Sequence, residues 1–216
     1  MQPTMALAPA APAPDPAYII ENRKRLLALD CREALRYVRV LSGVASITNG
    51  LVLLRAPLDI PNGLYTYTDS NQLRPERAGW MSYPDIEVMA PPFARMQPYC
   101  EILNTPEMPT LGSMIPWVER ARELNGTIVF AKDGAYFQQH PDFCFNFPFN
   151  VRDEIVVSAH YLRLVLGEML RYDRIYLSRE ENRFDKITPL VFGKSWAECA
   201  LLMPQDSAGY GLGTRW

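Results

Sequence analysis

The residues best equipped for nucleophilic or metal chemistry in this 216-residue chain are four cysteines and two histidines. Cys31, Cys100, Cys144 and Cys199 lie far apart, with no Cys-x-x-Cys pair, so the spacing that a zinc knuckle needs is missing. His140 and His160 are too few for most metal sites. A hydrolase built on Cys144 or Cys199 with His140 or His160 as base is one reading. However, no nucleophile motif surrounds any of these residues, and His160 falls inside a helical pattern. The expectation is a protein with no catalytic residues, no metal and no cofactor, its thiols reduced as in a cytoplasmic protein.

The other chemistry on offer is phosphate binding by arginine. At 100° per residue, Arg32, Arg36 and Arg39 fall within about a 60° arc of a helix expected over Cys31–Leu41. Ala34, Leu35, Val38 and Leu41 lie on its other side. In a helix over Ala159–Leu170, the residues Leu162, Val165, Leu166, Met169 and Leu170 form an apolar stripe. Arg163 and Arg171 point away from that stripe. A helix between them, Ser113–Leu124, carries Arg120 and Arg122 balanced by Glu119 and Glu123, with a poor stripe. Surface helices must carry polar residues in any case. Even so, a positive face on a chain of net charge −2 would bind phosphates without reading sequence.

The elements that position these arginines recur as a short helix followed by strands, three times over. Asp30 is a plausible cap for the first helix and Ser42-Gly43 its stop. Strands follow at Val44–Thr48, Leu51–Arg55 and Leu64–Thr68, with Asn49-Gly50 a two-residue hairpin signal. The second helix tolerates Pro116 only in its first turn and closes at Asn125-Gly126. Strands Thr127–Ala131 and Ala135–Gln139 come next, joined by Lys132-Asp133-Gly134. The third helix is capped by Ser158, and strands Arg174–Ser178, Thr188–Phe192 and Glu198–Met203 follow it. Between the first and second units, Pro75, Pro84, Pro91, Pro92, Pro98, Pro106 and Pro109 mark a long crossing segment with edge strands. Residues 1–17 are nearly all Ala and Pro and read as a flexible, disordered arm. With 48% hydrophobic residues the rest can bury a core, and no apolar run reaches the roughly 20 residues of a membrane span.

Val156-Val157-Ser158-Ala159-His160-Tyr161-Leu162-Arg163-Leu164-Val165-Leu166, then Arg174–Ser178, Pro189-Leu190-Val191-Phe192 and Ala200-Leu201-Leu202-Met203-Pro204, resembles the last domain of bacterial-type DNA sliding clamps, the DNA polymerase III β subunit family. Tyr83-Pro84-Asp85-Ile86-Glu87-Val88, with Pro91 following, looks like that family's connector between domains. Thr68-Asp69-Ser70-Asn71-Gln72-Leu73 is similar to its Thr-Asp-Gly motif, without the glycine and basic residues. The resemblance covers about residues 26–204 and is most specific after Tyr83.

The resemblance implies an α+β DNA-clamp fold, with helix-strand repeat units whose helices lie on one face of antiparallel sheets. It divides the chain into the arm (1–17), a partial clamp domain (18–80), a C-terminal clamp domain (81–204) and a tail (205–216). It implies no enzyme. The expected role is a phage-type sliding clamp or processivity factor, a homo-oligomeric ring around duplex DNA that tethers a polymerase or other replication protein by a short peptide, away from membranes. Arg32, Arg36, Arg39, Arg120, Arg163 and Arg171 would hold the DNA backbone. Leu201, Met203 and Pro204 match the family's peptide pocket, Pro84 and Val88 its connector wall, and Thr68 and Leu73 would complete it. Because the chain holds about one and a half clamp domains, a monomeric clamp-like adaptor or decoy that binds replication proteins without encircling DNA is the alternative.

Overall fold

Period-two burial builds most of this chain. The computed structural model describes residues 37–67, 72–76, 86, 96–103, 110–131, 134–145, 154–170, 174–180 and 189–205. The first strand, β1 (Val38–Leu41), buries Val38 and Val40 and turns Arg39 and Leu41 outward. It makes a hairpin with β2 (Val44–Thr48). Ser42 and Gly43 sit between the strands at φ 52° and 74°, the two left-handed residues that a tight hairpin requires. Asn62 Oδ1 accepts the Ser42 N–H at 2.8 Å. The helix expected over Cys31–Leu41 is therefore corrected at its C-terminal end: 38–41 are strand, and Ser42-Gly43 is a hairpin turn. β-Branched valines alternating with outward residues, paired on both sides, override the arginine spacing. Residues 31–36 lie outside the described residues.

β2 leads through Asn49-Gly50 into β3 (Val52–Pro57), and the expected hairpin is present, with Thr48↔Leu53 its last strand pair. Asn49 Oδ1 accepts the N–H groups of Leu51 and Val52 at 3.0 and 2.9 Å. Thr48 Oγ1 donates to Val52 O at 2.7 Å and accepts from Gly50 N–H. Every turn of this tip is held by a short polar side chain that mimics backbone. β4 (Gly63–Tyr67) returns beside β1, and β5 (Leu73–Pro75) lies beside β4.

β6 (Met96–Leu103) opens two halves of like order, each a strand, a helix and three strands. The two halves are α1 (Thr110–Glu123), β7 (Thr127–Ala131), β8 (Gly134–Phe137), β9 (His140–Phe145) and then β10 (Ile155–Ser158), α2 (Ala159–Met169), β11 (Arg174–Glu180), β12 (Leu190–Ser195), β13 (Glu198–Leu202). Each half lends its first strand to the other. β10 pairs with β7 in a four-stranded sheet, β10-β7-β8-β9, and β6 pairs with β11 in a nine-stranded one, β5-β4-β1-β2-β3-β13-β12-β11-β6. All pairings are antiparallel. Met96–Leu103 lies at the edge of the large sheet, as the proline-rich stretch around it leads one to expect.

One main apolar core joins both sheets and both helices. Val52, Leu54, Ala200, Leu202, Leu190 and Phe192 from the large sheet meet Ile128, Phe130, Ile155 and Val157 from the small one, with Leu111, Met114, Val118, Leu162, Val165 and Leu166 from the helices. The stripe of α1, faint in the sequence, is Leu111, Met114, Val118 and Ala121, all buried. Two details differ from expectation. Pro116 sits in the second turn of α1 because the helix begins at Thr110, where proline removes the bond to the Gly112 carbonyl. Leu170, expected in the buried stripe, caps α2 and is exposed.

Candidate nucleic-acid interface

α1 ends where the sequence signals it. Asn125, at φ 48°, donates its N–H to Arg122 O at 2.9 Å, and Gly126 N–H donates to Ala121 O at 2.8 Å. This pair of bonds closes a helix with a left-handed residue. The same Gly126 accepts the N–H of Ala159, the first residue of α2, so the end of one helix fixes the start of the other. Ser158 occupies the N-cap of α2 in extended conformation but makes no side-chain cap bond. The two helices pack on each other.

Between them lies a charge cluster centred on Glu119. Its carboxylate accepts Arg122 Nη2 at 2.8 Å on α1 and Arg163 Nε at 2.5 Å from α2. A Cβ at Gly167 would come within 2.9 Å of Arg163 Nη1, the far end of a flexible side chain. His160 stands at the same junction, edge-on to the Tyr161 ring at 5.6 Å. Burial lowers its pKa below the usual histidine value, Arg122 lowers it further, and Glu119 opposes both. Arg120 pairs with Glu123 at 2.9 Å in the open, the two side chains 66% and 59% exposed.

The expected arginines thus fall into three groups. Arg120 and Arg163 are on helices, and each is bonded to a glutamate. Arg39 is on strand β1, opposite Ser46 and Leu64, so it has no place on a helix face, which corrects the helical arc drawn through it. Arg32, Arg36 and Arg171 lie outside the described residues. The bond between Arg163 and Glu119 spans 44 positions, which is why no local reading of the sequence finds it.

A second apolar cluster, Leu53, Ile86, Val191, Cys199, Leu201 and Met203, is flanked by Leu51 and Trp196. By strand alternation its β3, β12 and β13 members face away from the helices. Met203 N–H donates to Leu51 O at 2.8 Å, which ties the segment after β13 to the tip of the β2–β3 hairpin. Arg55, on the same side of β3 as Leu53, stacks on Trp196 with its guanidinium carbon 4.3 Å from the ring centroid, a cation–π contact. The structure therefore brings Leu201 and Met203 together and buries Pro204 next to them. Leu73 packs against the main core instead, apart from Leu201 and Met203. Thr68, Pro84 and Val88 lie outside the described residues. Ile86, between the two expected wall residues Pro84 and Val88, is the connector side chain seen in the cluster. Among the described residues no group of His, Cys, Asp and Glu could hold a metal ion, and no helix is long and apolar enough to cross a membrane.

The sequence matches no protein-family profile and no curated protein. Its structure is similar to that of DNA polymerase III subunit β from Borrelia burgdorferi, solved in complex with a natural product. The TM-score is 0.52 at 11% identity, over 88% of this chain and 62% of that one. The corresponding subunits of Pseudomonas aeruginosa (TM-score 0.47, 14% identity, 94% of this chain and 69% of that one) and Thermotoga maritima (0.46, 11%, 94% and 69%) match more loosely. The chain spans less than two thirds of the Borrelia protein. At this identity the likeness speaks for architecture: the chain has a clamp-like α+β fold, antiparallel sheets flanked by helices.

Proposed function

We propose that the chain is a DNA sliding clamp or processivity factor, acting as a homo-oligomeric ring that encloses duplex DNA and holds a polymerase or other replication protein by a short peptide. The observation that carries this is the placement of α1 and α2 side by side on one core shared by two antiparallel sheets, in a clamp-like fold. In such a protein the work is topological. The helices would face the DNA backbone, with Arg120, its side chain 66% exposed, acting together with Arg32, Arg36, Arg163 and Arg171. The partner peptide would sit at Leu201, Met203 and Pro204, with Ile86, Leu51 and Trp196 at its margin. Methionine suits such a surface because its side chain adapts to varied apolar partners.

One observation favours the monomeric adaptor as a second reading. On the described helices Arg120, Arg122 and Arg163 are each bonded to Glu123 or Glu119, so most of the positive charge on that layer is matched. Retention on nicked circular DNA, lost when the circle is cut, tests the ring reading, with the mass in solution measured by light scattering. An oligomer that stays on circles and runs off linear ends is the expected result. A strict monomer at micromolar concentration, bound equally to both, overturns the ring and leaves the adaptor.

A further inference from the structure

Histidine is the side chain whose ordinary pKa, about 6.5, lies within the range from pH 7.5 to 6.0. The chain has two of them, His140 and His160. His140 opens β9 in the small sheet. His160 is the second residue of α2 and belongs to the helix layer. A change of pH across this range therefore reaches that layer chiefly through one ring.

The N–H of Ala159, just before it, is held by Gly126 O at the end of α1, so His160 stands where the two helices meet. Arg163 lies one turn further along the same side of α2 and donates Nε to Glu119 Oε1, while Arg122 donates Nη2 to Glu119 Oε2. Arg122 and Glu119 are the charges of α1 that act on His160. Among the described residues, β3, β10, β12 and β13, the strands packed on α2, contribute none that acts on it. The Nε2 atom of His160 is buried and makes no hydrogen bond. A neutral ring tolerates that position, whereas a protonated one brings an N–H that needs an acceptor. Glu119 can supply it, because each of its oxygens holds one arginine and has a lone pair to spare. One carboxylate then faces three cations instead of two. Arg122, its side chain 45% exposed, is the one best placed to turn outward.

We propose that His160 is a proton-controlled cation of the helix layer: on protonation it takes a share of the Glu119 carboxylate and releases Arg122 to a backbone phosphate, so that duplex binding tightens as the pH falls and takes up a proton. The ligand rests on the function proposed above; the switch rests on the junction itself. The coupling is reciprocal. Burial and Arg122 together hold the ring below the usual histidine pKa in the free chain, which keeps it neutral at pH 7.5. A phosphate that draws Arg122 away removes the second of those causes and adds a negative charge nearby, and both changes favour the protonated ring.

The test uses the full chain with His160→Gln and His140→Gln, by fluorescence anisotropy on a duplex at constant ionic strength between pH 7.5 and 6.0. The affinity of the parent is expected to rise at least about threefold, within the limit of about tenfold per pH unit that one proton sets. His140→Gln should rise as the parent does, and His160→Gln should stay flat. The ring resonance of His160 in the parent gives a second readout that does not depend on how the variant folds: its titration midpoint should move up when duplex is added. An affinity that ignores pH, an equal rise in His160→Gln, a rise lost in His140→Gln, or a midpoint that DNA leaves in place overturns the inference and leaves the DNA-binding reading standing. A parent that binds no duplex at either pH overturns both.

Discussion

Replacing Arg120 and Arg163 one at a time by alanine should separate a side chain that meets DNA from one that holds two helices together. Arg120 and its partner Glu123 are more than half exposed, three residues apart on one helix. Such a pair contributes about 0.2–0.5 kcal/mol, so Arg120→Ala should leave the urea midpoint almost unmoved. Glu123 is then a weak competitor that a phosphate can displace. Each phosphate neutralised adds about 0.9 to the slope of log affinity against log salt. Across a fourfold rise in salt, one lost contact makes the variant about 3.5-fold less salt-sensitive than the parent. Arg163 is the opposite case: it is mostly buried and bonded to Glu119 of the neighbouring helix. Its removal breaks a charged hydrogen bond between elements, a loss of about 1–3 kcal/mol, with a smaller change in the salt slope because its charge is already matched. Fluorescence anisotropy on a duplex at several salt concentrations, with urea unfolding of the same samples, gives both numbers. A parental salt slope in Arg120→Ala, or a larger slope change in Arg163→Ala than in Arg120→Ala, would refute the assignment of roles.

Two further outcomes follow from local geometry. His160 has a lowered pKa in the folded state, first from burial and then from Arg122. Its neutral form therefore stabilises the fold above about pH 6.5, and that contribution is lost as the pH falls below this value, because the unfolded chain takes up the proton first. The stability gap between the parent and His160→Gln should narrow or reverse between pH 7.5 and 5.5 in urea titrations, and an identical gap at both values counts against it. Gly193 faces β13 so closely that a Cβ would lie 2.4 Å from Glu198 O and 2.6 Å from Cys199 Cβ. Gly193→Ala should lower stability by about 1–3 kcal/mol and show as a depressed thermal midpoint, since the β13 backbone must shift; an unchanged midpoint would mean that the strand moves freely.

What the sequence makes legible depends on how far apart the deciding partners are. Val44–Thr48 and Thr127–Ala131 are read to the residue because β-branched alternation and a flanking glycine act locally. The Asn125-Gly126 stop of α1 is local as well. Residues 38–41 mislead because Arg32, Arg36 and Arg39 keep helical spacing, whereas the partners that decide the matter, β2 and β4, come later in the chain. β9 escapes notice because Pro141 breaks its pattern, and proline is tolerated at a sheet edge for reasons of topology. The site follows the same rule. Leu201 and Met203 share one cluster, and being two residues apart they lie on the same side of an extended chain. The bond that takes up Arg163 comes from another helix and leaves no local trace.

Architecture and phosphate affinity therefore have different physical bases in this chain. Backbone pairing sets the architecture: two antiparallel sheets, the larger continuous through the β3–β13 pairing, hold α1 and α2 on one core whatever their surface charges. Phosphate affinity depends on charge excess over the same helices, and there Glu119 offsets Arg122 and Arg163 while Glu123 offsets Arg120. A ring can keep hold of DNA by enclosure alone, so a nearly balanced lining weakens its grip without opening it and favours movement along the duplex. An adaptor has no enclosure to rely on, and the same balance would leave it with little affinity for DNA. Glu119→Gln tests whether this helix layer meets the duplex, by fluorescence anisotropy on DNA, and an unchanged affinity counts against it. The substitution should strengthen DNA binding if the helices line the opening, because Arg122 and Arg163 then present unmatched positive charge toward the duplex.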